Sequence, residues 1–112
     1  MSIPRLNRKL LLEEAQRTPD GAGGQHLTWV TVGTLWGHID AGWGRERAGE
    51  FVTLSSVPYR ITVRAAPPGA PSRPRPEQRL RDGTRVFRIT AVTEAGVEGR
   101  YLICFAQEEV PA

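Results

Sequence analysis

Tyr59-Arg60-Ile61-Thr62-Val63-Arg64 is the stretch that decides the fold. Successive side chains of a strand point to opposite sides, so Tyr59, Ile61 and Val63 share one face while Arg60, Thr62 and Arg64 share the other. One face seeks a core and the other carries cations. Downstream, Pro67 to Pro76 contains five prolines. Proline lacks the donor that a sheet interior needs, so residues 66–78 are expected to project as a long Pro/Arg-rich loop of polyproline character. The chain resumes at Arg79 to Arg81 and turns at Asp82-Gly83. Two further strand-like runs follow, Arg85 to Val92 and Arg100 to Ala106, joined through Glu94-Ala95-Gly96-Val97-Glu98-Gly99 into a closing hairpin.

Upstream, Arg8 to Ala15 reads as a strand, although its leucines also suit a helical turn. Thr18-Pro19-Asp20-Gly21-Ala22-Gly23-Gly24 is dense in residues that supply fixed or positive φ, and marks a hairpin loop. Leu27 to Val32, with Trp29 and several β-branched residues, is its partner strand. Gly33-Thr34 then turns or bulges the chain before Leu35 to Ala41, with Trp36 and Ile39 on opposite faces, and Gly42-Trp43-Gly44 closes that run. Arg45 to Ser56 reads equally as a short helix or a loop, and residues 1–7 form a flexible arm without periodicity. The expectation is one all-β domain over 1–112, a small antiparallel barrel or sandwich of about six strands.

Composition agrees with that class. A chain of 112 residues holds one modest core, and 12 Gly with 9 Pro imply many turns and little helix. The N-terminal apolar run, Leu10-Leu11-Leu12, is too short for a secretory segment of roughly 7–15 residues or a span of about 20, so no membrane association is expected. The net charge of +3 is uneven: residues 57–88 hold eight arginines against Glu77 and Asp82. Fourteen of the fifteen basic residues are arginine, which suits fixed contacts with carboxylates or phosphates. An acidic protein surface and a DNA backbone both fit, and so does a plain solvated face.

Catalytic chemistry finds little support. Cys104 is the single cysteine and sits in an apolar run, Tyr101 to Phe105, which predicts a buried structural thiol. His26 and His38 lack companions at metal-ligand spacing, so no metal site is expected. The glycines at 21, 23 and 24 match neither phosphate-binding pattern and read as a turn. Glu13-Glu14 and Glu108-Glu109 are adjacent pairs that a strand sends to opposite faces, so they read as solvated strand ends rather than an acid/base pair. No catalytic residue and no cofactor is expected. Trp29 and Trp36 read as core or turn packing, while Trp43 between two glycines is the aromatic most suited to anchor a partner. Arg73, Arg75 and Arg79 are the other candidate interface residues. The prolines around Arg73 and Arg75 limit the entropy lost on docking.

In order, the basic Leu-rich opening strand, Pro19-Asp20-Gly21 with Gly23-Gly24, Trp29 and Trp36, the Tyr59 to Arg64 strand, a long loop, Gly83 to Val92 and Arg100 to Glu109 resemble one known pattern. It is that of the phage head-tail connector family, the head-closure or stopper proteins, and most of all the versions from alphaproteobacterial prophages and gene transfer agents. The resemblance covers residues 5–109. It implies a β-barrel subunit in a cyclic ring of about six or twelve copies, below a portal-adaptor ring and above a tail terminator ring. Such a ring seals the DNA-filled head until a tail joins, then lines the exit channel around packaged double-stranded DNA. The implied location is the head-tail junction of a virion or gene transfer agent particle assembled in the bacterial cytoplasm. On this reading the loop led by Arg73 and Arg75 docks on a neighbouring subunit or the adaptor, and Arg60 and Arg64 face the DNA channel. A single-stranded nucleic-acid-binding barrel is the alternative. It needs aromatics on the arginine face, whereas Tyr59 alternates with the arginines.

Overall fold

The structure, a computed structural model, describes residues 5–41 and 58–109. Six antiparallel strands form one sheet: β1 (Arg8–Pro19), β2 (Gln25–Ala41), β3 (Pro58–Arg64), β4 (Arg79–Asp82), β5 (Arg85–Ala95) and β6 (Tyr101–Glu109). Their order is β1-β2-β3-β6-β5-β4, and pairing of β1 with β4 closes the sheet into a barrel. The expected all-β class is observed.

The alternation along Tyr59 to Arg64 sets the interior. Ile61 and Val63 of β3 are fully buried, and so are Leu10 and Leu12 of β1, Leu80 of β4, Phe87 and Ile89 of β5, and Leu102 and Cys104 of β6. Each large aliphatic or aromatic side chain placed there contributes about 1.5–3 kcal/mol by leaving water. Burial also pushes the Cys104 thiol up to about 12, so it stays protonated and inert.

The partition of strands differs from expectation. The segment read as two short strands around Gly33-Thr34 is a single 17-residue strand, β2. Leu12 faces Gly33 and Glu13 faces Thr31, so Val32 is the extra residue of a β-bulge. That one residue shifts the side-chain phase of the strand. Trp29 and Trp36, which an unbroken strand would send to opposite sides, therefore share the outer side, and Trp36 is 54% exposed rather than in the core. Glycine at 33 lets the loop approach closely, since a Cβ there would lie 3.1 Å from the Ser72 side chain, a tight contact.

β1 pairs with β4 only from Leu11 to Glu13, and β2 pairs with β3 only from Gly37 to Ala41. Beyond those points the two strands continue as a two-stranded arm in which Gln16 to Thr28 are all exposed. Asp20 caps its turn, accepting hydrogen bonds from the Ala22 and Gly24 amides at 2.8 and 3.0 Å.

Residues 65–78 leave the sheet, as their prolines require, but do not project in a polyproline helix. The Ala70, Arg73 and Gln78 amides bond the carbonyls three residues back at 3.0, 3.0 and 3.2 Å, making three tight turns. Pro68, Pro71 and Pro76 each hold the second turn position, where a φ near −65° fits as well as it fits polyproline. Gly69 and Glu77 follow two of them with φ of 87° and 78°. Pro74 and Gln78 are buried and Ser72 backs onto Gly33, so the segment lies across the mouth of the barrel from which the arm extends. The element that projects is the β1–β2 arm.

Candidate functional site

The arm, the folded-back loop and β4 meet around Glu13. Alternation after the inward-facing Leu12 puts this carboxylate on the outer side of β1, opposite Arg79 of β4. Arg79 Nε donates to Glu13 Oε1 at 2.6 Å and Arg81 Nε donates to Oε2 at 3.0 Å. The Arg79 guanidinium also lies 4.1 Å above the Trp29 ring, a cation–π contact, and 3.9 Å from Glu109. Glu13 is only 6% exposed. Burial by itself would raise its pKa, but the hydrogen bonds and charges of Arg79 and Arg81 outweigh that and hold it below the ordinary carboxylate value. Glu13 is thus the central member of a polar cluster rather than a solvated strand end.

The loop carries a second set of ties. Gln78 is 4% exposed; its Nε2 donates to Glu14 at 3.0 Å and its Oε1 accepts from the Arg75 amide at 2.7 Å. The Arg75 side chain reaches the same Glu14 carboxylate. Arg73 donates to the Ala66 carbonyl at 2.6 Å and lies 3.4 Å from Glu94. All three candidate interface arginines are held by groups of their own subunit, but the side chains of Arg73 and Arg79 are 21% and 12% exposed whereas that of Arg75 is 66% exposed. Trp43 lies outside the described residues, as do 45–56.

Between the arm and the loop runs an open groove of about 640 Å³, lined by Glu14, Arg17, Leu27, Trp29, Arg75 and Arg79 among others. Leu27, 51% exposed, is the apolar residue at its outer lip.

Arg60 and Arg64 are on the outer side of β3, as alternation requires. The neighbouring strand β6 sets Phe105 opposite Arg60 and Tyr101 opposite Arg64. Arg64 lies 5.8 Å above the Tyr101 ring. Tyr59 does alternate with these arginines and packs edge-on to Phe87 at 5.1 Å. Aromatic residues nevertheless share the arginine face, because they come from β6 rather than from β3. Single-strand alternation could not reveal this; only the β3–β6 register does.

A third cluster joins β5 to β6. Arg85 donates twice to Glu108, at 2.9 and 3.0 Å, and lies 4.9 Å from the Phe87 ring. The hydrogen bond from Arg85 holds the Glu108 pKa below its ordinary value against partial burial. Among the described residues no group of three His, Cys, Asp or Glu side chains is arranged to hold a metal, and no helix is long and apolar enough to cross a membrane.

The described residues form a closed six-stranded barrel that carries arginine–carboxylate clusters, an open groove and an exposed two-stranded arm. Residues 1–109 match the phage head completion protein family, and the chain belongs to that family. It is similar in structure to a chain from the virion of a native gene transfer agent particle, with 64% identity and a TM-score of 0.79 over 98% of this chain and 100% of that one. It also shares its fold, at 21% identity and a TM-score of 0.68, with a Shigella flexneri 2a protein solved in solution; 96% of each chain is covered. No curated protein matches the sequence. The chain is a structural component of a phage or gene transfer agent particle and acts in completing its head.

Proposed function

We propose that this protein forms a cyclic ring at the head-tail junction that closes the DNA-filled head and presents the platform on which the tail assembles. The ring sits between a portal-adaptor ring and a tail terminator ring, surrounds the packaged double-stranded DNA, and carries out no chemical step. The observation that supports this most is whole-chain similarity to a component of a native gene transfer agent particle. The barrel adds a physical reason: closing the sheet removes most of its edges, so a rigid subunit remains whose loops and arm are free to make contacts.

Arg75 is the arginine of the loop most available to a neighbour, and it is the one that reaches a partner ring. Deleting residues 67–76 would be a poor probe, since the same segment covers the barrel mouth and anchors Gln78. Charge reversal, Arg75→Glu, leaves the turns in place. It is expected to lower the yield of tailed particles at least about tenfold, because a ring repeats the lost contact at every subunit. Tailed and tailless particles counted by electron microscopy give the result, and an unchanged ratio would show that Arg75 contacts nothing outside its subunit.

Arg60 and Arg64 face the channel in this reading. Arg60→Glu combined with Arg64→Glu is then expected to release DNA from tailless heads, measured as nuclease-sensitive DNA per head. The placement of Phe105 and Tyr101 beside these arginines favours a second reading, a single-stranded nucleic-acid-binding barrel, because stacking needs aromatics and cations on one face. Tight, salt-sensitive binding of the soluble protein to single-stranded DNA, abolished by Phe105→Ala, would support it; no binding at low salt removes it.

A further inference from the structure

The arm is a ribbon with two open edges. On its β2 side, Gln25 to Val32 pair with β1 alone among the described residues, since β2 meets β3 only from Gly37 onward. On its β1 side, Glu14 to Pro19 have no strand beside them among the described residues, since β4 stops pairing at Glu13; the loop reaches only the Glu14 side chain, through Arg75 and Gln78. Unpaired edges of this length invite another strand, and soluble proteins usually blunt them with charged residues, proline or a short strand. The β2 edge has none of these. Residues 21–39 contain no Asp, Glu, Lys or Arg, in a chain where 24% of residues are charged. The edge itself is rich in β-formers: Thr28, Trp29, Val30, Thr31 and Val32 follow one another.

We propose that the open β2 edge, Gln25 to Val32, pairs with the open β1 edge, Glu14 to Thr18, of a second copy of this chain, so that the arms of a ring join into one continuous antiparallel sheet. The inference rests on the ring reading above and gives it an interface. Three observations select another copy rather than a different partner. β1 and β2 run in opposite directions within each arm, so setting β2 of one copy beside β1 of the next continues the antiparallel order, and one rotation repeats the contact until it closes. The groove between arm and loop runs along the same β1 edge and leaves room beside it, with Leu27 and Trp29 on its wall. An uncharged edge also lets two copies of a chain of net charge +3 approach without setting like charges opposite each other. Five to six paired residues per contact correspond to about 17–20 Å of shared strand.

Disulfide trapping in assembled particles tests this. Arg17→Cys is combined, one at a time, with cysteine at Val30, Thr31 or Val32. In its own subunit Arg17 faces Leu27, so these positions are at least three residues along the strand from its partner and too far to close internally. Cys104 is buried and does not react. The expected result is a ladder of covalently linked copies for at least one of the three variants under mild oxidation, and none for Arg17→Cys alone. Amide exchange of the unmodified protein provides a readout free of substitutions. Outward amides of Gln25 to Val32 should exchange at least about tenfold more slowly in particles than in the isolated subunit. A protein that enters particles and supports tail joining but shows no ladder and no protection overturns the edge-to-edge contact while the ring reading stands. Protection accompanied by cross-links to a protein of another mass gives the edge to a different partner and overturns the proposal too. Failure to enter particles at all overturns both.

Discussion

Replacing Phe87 with alanine is expected to lower stability by about 3–5 kcal/mol, the usual cost of emptying a fully buried aromatic site. Phe87 has no exposed surface, meets Tyr59 edge-on with an interplanar angle of 70°, and lies beneath the Arg85 guanidinium. The truncation would therefore remove apolar burial, an aromatic pair and a cation–π contact together. Domains of this size have a total stability of about 5–15 kcal/mol, so the loss is a fifth of the total or more. Urea denaturation of the isolated subunit measures the loss. A change below about 1 kcal/mol would mean that the barrel closes around the gap and that Phe87 does not organise the core.

The second large effect is expected at Glu13. Removing one member of a buried ion pair strands its partner, at a cost of about 3–5 kcal/mol. Glu13→Ala should fall near the lower end, about 3 kcal/mol, because Arg79 would lose its acceptor in a site 12% exposed while Arg81, 35% exposed, turns to water. Glu13→Leu combined with Arg79→Met should recover much of the loss, since no charge is then stranded in the buried site and Arg81 turns to water. The same carboxylate sets an acid dependence. The pKa values of Glu13 and Glu108 are both held below the ordinary 4.5 in the folded protein. Their contribution is complete above that ordinary value and disappears as pH falls through the lowered folded-state values, where protonation breaks the arginine pairs. Denaturation midpoints measured from about pH 6 to about pH 3 should fall steeply for the natural sequence and more gently for Glu13→Gln. Equal slopes would place the acid sensitivity elsewhere.

Local pattern predicted the parts of the fold that depend on local pattern. Alternation in Tyr59 to Arg64 gave the buried face of β3, and the two runs after Gly83 gave β5 and β6. Cys104 was legible as a buried thiol because its neighbours are apolar. The misread places depend on residues far apart in the chain. Gly33-Thr34 has the composition of a turn, yet the strand runs on through it and the glycine lies against Ser72. The prolines of 67–76 fit turns and polyproline equally; Pro74 burial and the hydrogen bonds of Gln78 decide between them. Glu13 looks like half of a solvated acidic pair until its two arginine partners, more than sixty residues away, are known. An odd residue in one strand was enough to move Trp36 from the expected core to the surface. The shared face of Arg60, Arg64, Phe105 and Tyr101 was likewise hidden, since it arises from register between strands.

Closure of the barrel has a kinetic consequence. The seam between β1 and β4 consists of three facing residue pairs, Leu11–Arg81, Leu12–Leu80 and Glu13–Arg79, and the flanking tie of Arg8 to Asp82 spans 74 positions of the chain. Such a contact has to meet the entropy of closing a loop that contains most of the molecule before it returns any energy. High contact order of this kind places folding in the millisecond-to-second range typical of small barrels, with hairpins β1–β2 and β5–β6 forming ahead of the seam. Until the seam shuts, the open ends of β1 and β4 and the bare arm are exposed together on one incomplete sheet. Molecules that fold close together therefore pass through a window in which joining the wrong edge competes with closing the right one, and the short, charged Glu13–Arg79–Arg81 lock ends that competition.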